Sequence, residues 1–120
     1  MSELARLESR RVGETQHVSV IGEVDLSNAR ALLDAVAAAV PDDAARVVLD
    51  LSSTTYLDSA GIAAVFRLAE RLRIRRQDLR LVVPPGSPIR PVLRLTHLDH
   101  VIPVDDTPPG AVPPDAPGPA

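Results

Sequence analysis

A short stretch near the middle of the chain joins a buried strand to a helix through a pair of polar residues. Residues 47–51 read VVLDL, the nearly unbroken apolar run that is typical of a strand buried on both faces. A polar break follows at 52–55, and Asp58 and Ser59 then stand directly before a helical pattern at 60–74. The sequence therefore predicts that Ser59 lies at a helix N-terminus, where unpaired N–H groups and the helix dipole favour negative charge.

Strand and helix patterns alternate along the rest of the chain. Five strands are predicted in all, at 4–12, 16–22, 46–51, 79–83 and 101–104. Besides the helix at 60–74, helices are predicted at 29–40 and 91–96. The first two strands are expected to pair as a hairpin around Gly13. This order predicts an α/β fold with a mixed, mainly parallel sheet of about five strands, an N-terminal hairpin and helices packed on it.

The composition favours one domain followed by a tail. A chain of 120 residues with 45% hydrophobic content can bury a single core. From Thr107 onward, six of fourteen residues are proline and two are glycine, so this part cannot bury enough apolar surface to offset its ordering entropy. We therefore expect a domain at 1–106 and a disordered, proline-rich tail at 107–120.

The same composition argues against several classes of partner and site. The net charge is −3 and the two aromatic residues offer no stacking platform, which disfavours nucleic acid as a partner. There is no cysteine, and the three histidines lack ligand spacing, so neither a metal nor a cofactor is expected. No apolar run approaches the roughly 20 residues of a membrane span, and the N-terminus has no signal pattern, which predicts a cytoplasmic protein.

The helix at 60–74 should place one stripe of side chains on the sheet. Ile62, Val65, Phe66, Ala69 and Leu72 recur at steps of three and four residues and are predicted to face inward. The residues predicted to point outward are Ala64, Arg67, Leu68 and Arg71. An exposed Leu68 on this helix would suit a contact with another protein. Five arginines crowd residues 67–76, and we expect them to form a solvated helix face.

Three motifs in sequence order resemble the STAS family, the domains of anti-sigma-factor antagonists. The central one is VVLDL followed by YLDSAGI, which ends at Ile62. Upstream, IGEVD at residues 21–25 resembles the second motif, and downstream VLRLTHLDHV at 92–101 resembles the third. Two positions depart from the family: Ala60 stands where a second serine is common, and His97 stands where glycine usually ends a helix.

The resemblance implies the same fold and a switch made of protein contacts. By that analogy, Ser59 is phosphorylated by a partner that is both an anti-sigma factor and a serine kinase, and a serine phosphatase resets it. The unphosphorylated form would bind the partner and free a sigma factor, so the chain itself would not be an enzyme. The contact surface implied by the motifs and the outer helix face comprises Asp25, Asp58, Ser59, Ala60, Gly61, Ala64, Arg67, Leu68 and Arg71. We expect Gly61 to let the partner approach closely.

Three other functions compete with this switch. The first keeps the fold as a STAS scaffold module of a sensor or transporter-associated complex, without a phosphoswitch. The second is a hydrolase with Ser59 as nucleophile, which needs a base such as His97 or His100 nearby in space and lacks the G-x-S-x-G elbow. The third is an aspartyl-phosphate receiver, which resembles a family with an essential lysine; this chain has none.

Overall fold

The computed structural model of the protein describes residues 5–108. Its strands are β1 (Ala5–Val12), β2 (Thr15–Val24), β3 (Arg46–Asp50), β4 (Thr54–Leu57), β5 (Asp78–Val82) and β6 (Val104–Asp105). Its α-helices are α1 (Ala29–Ala38), α2 (Ser59–Ile74) and α3 (Arg90–Leu95), and a 3₁₀ turn spans Leu98–His100. None of the helices in this range is long and apolar enough to cross a membrane.

The predicted N-terminal hairpin is confirmed. β1 and β2 pair antiparallel over eight residues, and Val12 lies opposite Thr15 across a two-residue turn. Gly13 has φ of +60°, and glycine at the first central position is the signature of a type II′ turn, whose twist matches that of the strands.

The sheet is mixed and mainly parallel, as predicted. Its strand order is β1-β2-β3-β5-β6, and every pair except β1 with β2 is parallel. β4 pairs with the outer part of β2, beyond the segment that β3 covers. β4 was not predicted, because residues 52–55 are polar and were interpreted as a break in the pattern.

All three helices contribute to one core on one face of the sheet. Val18, Leu49 and Leu81 lie on that face and are at most 3% exposed. The helices add Leu32, Leu33, Val36, Ile62, Val65, Leu68, Leu72 and Leu93 to the same cluster. On the opposite face, the partly buried His17 side chain pairs with the buried Asp50 side chain, with Nε2 and Oδ2 3.2 Å apart.

The predicted phase of α2 is wrong by about one residue. Leu68 is 2% exposed, whereas the predicted core residues Phe66 and Ala69 are only partly buried. The physical reason is that α1 packs along the side of α2, so the buried stripe is centred between the sheet and α1. Leu68 therefore cannot belong to a partner surface.

The C-terminal part differs in detail from the prediction. α3 begins at Arg90, with Pro91 in its first turn, one residue earlier than expected. His97 has φ of +57°, the left-handed conformation in which glycine commonly ends a helix. β6 covers only Val104–Asp105 instead of 101–104. Apart from residues 107 and 108, the tail predicted at 107–120 lies outside the described residues.

Candidate functional site

Two carboxylates emerge side by side where β2 and β4 end. The strands are parallel and pair Val24 with Leu57, so Asp25 and Asp58 follow at neighbouring positions of the same sheet edge. The Asp58 N–H donates to the Val24 carbonyl at 3.3 Å, which links the two chain segments directly. Asp25 therefore lies at the end of the sheet from which the Ser59 helix starts, the placement expected from the sequence.

Asp58 is the N-cap of α2. Its backbone is extended, and its carboxylate Oδ1 accepts the N–H groups of Ala60 at 2.9 Å and Gly61 at 3.1 Å. These are two of the donors that a helix N-terminus leaves without an intrahelical partner. Ser59 is the first helical residue and its side chain is exposed. The hydroxyl is therefore accessible from solvent without unfolding of the helix.

A closed turn holds Asp25 in place. Asn28 is 1% exposed; its Oδ1 accepts the Asp25 N–H at 2.9 Å and its Nδ2 donates to the Glu23 carbonyl at 2.8 Å. The Asp25 carboxylate accepts the Ser27 hydroxyl at 2.5 Å and the Ser27 N–H at 2.8 Å. These hydrogen bonds, the hydroxyl one first, hold the pKa of Asp25 below its ordinary value. The Asp25 side chain is therefore a fixed negative charge.

A shallow depression connects the two carboxylates. Its lining residues are Glu23, Asp25, Leu26, Ser27, Tyr56 and Asp58. Leu26 is 84% exposed and Tyr56 is 49% exposed. Three carboxylates thus surround two exposed apolar side chains, and no arginine lines the depression. Sequence reasoning missed Leu26 and Tyr56; the only signal was an apolar residue inside the polar turn DLSN and the chain's single tyrosine.

Gly61 has a packing role rather than the docking role expected of it. The residue is buried, and a Cβ built on it would lie 2.4 Å from Leu57 Cδ1 and 3.2 Å from Val24 Cγ1. The missing side chain lets the first turn of α2 rest on the ends of β2 and β4. The prediction that Gly61 offers a close approach to a partner is therefore wrong.

Gly61→Ala is expected to lower the free energy of unfolding by about 1–3 kcal/mol, because the added methyl group overpacks the contact with Leu57. Gly86→Ala is the matched control, since a Cβ there meets nothing within 4 Å. Urea unfolding of both variants measures the difference. Equal midpoints for the two would contradict the packing role.

The other predicted contact residues differ in accessibility. Arg67 and Arg71 are exposed, and Arg71 pairs with Asp34 of α1 at 3.1 Å. Ala60 is half-buried next to Ser59. Ala64 is half-buried and lines a wholly apolar cavity of about 40 Å³ between α1, α2 and the sheet. Of the predicted contact residues on α2, those that reach the surface are therefore in its first turn, together with the two arginines.

The histidines that a hydrolase with Ser59 as nucleophile would need lie in another part of the fold. The depression contains no histidine. His97 and His100 contact each other, with ring centroids 5.1 Å apart, in the connection that leads into β6. In the sheet, β6 is separated from β2 by β3 and β5, whereas β4, which leads to Ser59, pairs with β2. Between residues 5 and 108, no three histidine or carboxylate side chains cluster closely enough to hold a metal ion.

Comparison with known proteins assigns the fold. The family model described as "Mlab, STAS domain" matches residues 7–103. The chain belongs to the STAS domain family. The central motif that resembled this family in the sequence, which closes with YLDSAGI, contains the end of β4 and the first turn of α2.

Relatives within the family include named antagonists. The anti-sigma-F factor antagonist RsfB of Mycobacterium tuberculosis is 34% identical over 83 residues, which are 68% of this chain and 66% of that protein. The crystal structure of an anti-sigma factor antagonist from Mycobacterium paratuberculosis has a TM-score of 0.74 at 30% identity, covering 86% of each chain. The phosphorylated form of the Bacillus cell fate determinant SpoIIAA has a TM-score of 0.59 at 18% identity, covering 82% of this chain and 90% of that one. The last similarity shows the fold alone.

Proposed function

We propose that this chain is an anti-sigma-factor antagonist switched by phosphorylation of Ser59. In the unphosphorylated state it sequesters an anti-sigma factor and so releases a sigma factor. The observation that carries the proposal is the position of Ser59: an exposed hydroxyl on the first residue of α2, next to a depression with apolar side chains. The names of the mycobacterial relatives support the same class of partner.

The local chemistry supports a switch at this serine. The folded chain tolerates a phosphate on Ser59, because the side chain is exposed and the helix N-terminus favours negative charge. Asp58 already accepts the N–H groups of Ala60 and Gly61, so these two donors are not free to neutralise the phosphate. The phosphate would therefore add a charge of about −1.5 to −2 next to the carboxylates of the depression. No arginine lines the depression to neutralise these charges.

The proposed contact surface joins this charge to apolar anchors. Leu26 and Tyr56 supply exposed apolar area, and tyrosine is among the residues that most often dominate binding energy. Asp25 and Asp58 serve as hydrogen-bond acceptors that fix the register of the contact, and the partner must offer no further positive charge to pair with a phosphate on Ser59. Further contacts fall to Ser59, Ala60, Arg67 and Arg71. Gly61 and Leu68 are left out because they are buried, and Ala64 because it lines the apolar cavity.

The proposed partners follow from the switch. The anti-sigma factor carries serine kinase activity and transfers a phosphate from ATP to Ser59. A serine phosphatase removes it and restores binding. This chain then acts in the cytoplasm as a binding protein without catalysis of its own.

Phosphate mapping tests the proposal. The full chain is incubated with ATP and a candidate anti-sigma kinase, and the modified residue is identified by mass spectrometry. We expect the phosphate on Ser59, and we expect Ser59→Ala to accept none while still binding the kinase in a pull-down. Ser53→Ala is the control, since Ser53 is also exposed but lies before β4. Binding without any phosphate on Ser59 would favour the STAS scaffold without a phosphoswitch.

A further inference from the structure

The free edge of β1 is the longest unpaired backbone edge that the described part of the chain presents. β1 stands at the end of the strand order, and its other edge pairs with β2 without interruption over eight residues. We propose that β1 pairs antiparallel with β1 of a second copy of this chain, so that two sheets become continuous across a two-fold axis. This inference is independent of the proposed function, because it does not use the Ser59 surface.

The hairpin register fixes which backbone groups face the free edge. In a two-residue hairpin, the residues that flank the turn exchange hydrogen bonds, so Val12 bonds to Thr15 and every second residue of β1 bonds to β2. The intervening residues point their N–H and C=O groups outward. These are Ala5, Leu7, Ser9 and Arg11. A second strand can satisfy these groups in the same way that β2 satisfies the others.

The charges on β1 favour one of the registers in which it can pair with β1 of a second copy about a two-fold axis. An axis at Glu8 places Glu8 opposite Glu8, and an axis at Arg10 places Arg10 opposite Arg10; both put like charges in contact. An axis at Ser9 places Glu8 opposite Arg10 twice, once on each side. It pairs residues 6–12, and it makes Ser9 and its equivalent a hydrogen-bonded pair. An axis at Leu7 pairs only residues 5–9 of the described strand.

The strand lacks two of the features that usually protect an edge, since it contains no proline and its pairing with β2 has no β-bulge. Its charges on the face away from the helices alternate in sign, as Arg6, Glu8 and Arg10, so they can pair with those of a second copy instead of repelling it. Arg11 is exposed as well and lies opposite Leu7 in the Ser9 register. Glu8 and Arg10 both lie on the face of the sheet away from the helices, so their side chains meet in the Ser9 register. Since the contact is a single pair of strands, we expect a reversible dimer in the micromolar range.

Analytical ultracentrifugation of the full chain over a range of concentrations tests the proposal. The wild type should show a monomer–dimer equilibrium. Arg10→Glu should weaken dimerisation at least tenfold, because each of the two symmetric Glu8–Arg10 contacts becomes repulsive. The double variant Glu8→Arg with Arg10→Glu should restore it, since opposite charges face each other again. Arg94→Glu is the control: it makes the same charge change on the exposed surface of α3.

Ser9→Pro adds a test of the backbone pairing. The Ser9 N–H points away from β2, so proline should leave the hairpin folded while removing a dimer hydrogen bond and blocking the edge. Circular dichroism checks the fold, and the dimer should be lost. A chain that stays monomeric at millimolar concentration overturns the proposal. A dimer that persists in Ser9→Pro, or that Arg10→Glu and Arg94→Glu weaken equally, uses another surface and overturns it as well.

Discussion

Leu68→Ala is expected to lower the free energy of unfolding by about 3 kcal/mol, within the usual range for a buried leucine. The side chain is 2% exposed and borders the apolar cavity of about 40 Å³ between α1, α2 and the sheet. The substitution enlarges this existing cavity, and the surrounding side chains are not expected to fill it. The variant therefore loses both the transfer free energy of the deleted atoms and the additional free energy that an unfilled cavity costs. For a domain of this size, the melting temperature should fall by roughly 12 °C.

Leu68→Asp should be worse, because it buries a carboxylate that nothing nearby neutralises. We expect that variant to be largely unfolded at 37 °C. Arg67→Ala is the matched control on the same helix: the residue is exposed, and its replacement should change the free energy of unfolding by no more than about 0.5 kcal/mol. Thermal denaturation followed by circular dichroism measures all three. A Leu68→Asp variant that melts with the wild type would place Leu68 on the surface.

The error in the phase of α2 shows what periodicity leaves undetermined. The apolar pattern of the helix includes both Leu68 and Ala69, which lie about 100° apart around the axis. Either can be central to a stripe that also contains Ile62, Val65 and Leu72. The choice depends on where α1 lies, and that is set by tertiary packing, which no window of the sequence contains. The existence and the length of the helix were predictable because they are local.

β4 escaped prediction for a related reason. Thr54 looks like part of a polar loop, yet it is 1% exposed and its hydroxyl donates to the Val20 carbonyl at 2.7 Å. The hydrogen bond satisfies a buried polar group through a residue 34 positions away. Four residues with two buried side chains carry too little alternation to identify a strand. The neighbouring β3 was predictable because its apolar run is nearly continuous.

Some residues of the candidate site could be predicted from local sequence, and others could not. Asp58, Ser59 and the helix start are adjacent in sequence, and their capping geometry follows from local chemistry. Asp25 could be placed beside them because the carboxyl ends of parallel strands share a sheet edge. Leu26 and Tyr56 could not be found in this way, since only the register of β2 with β4 brings them to one depression.

Phosphorylation of Ser59 should weaken the complex with the anti-sigma kinase about a hundredfold, while Ser59→Ala should bind as the wild type does. The alanine variant removes only an exposed hydroxyl, and because Asp58 is the cap, the free energy of unfolding should change by at most about 1 kcal/mol. A phosphate adds up to two charges and considerable bulk at a surface whose anchors, Leu26 and Tyr56, must lose water on binding.

Ser59→Asp should fall between these states, with a loss of about tenfold, because it adds one charge and little bulk. Ser53→Asp is the matched control: it adds the same charge at an exposed serine before β4, and binding should stay within about twofold. Calorimetric titration with the purified kinase measures affinity, and a sigma-dependent reporter measures release, which should stay high in Ser59→Ala and fall in Ser59→Asp. If the two variants bound the kinase equally and gave the same reporter signal, Ser59 would serve only the helix start. The function would then belong to a STAS scaffold that recognises its partner independently of phosphorylation.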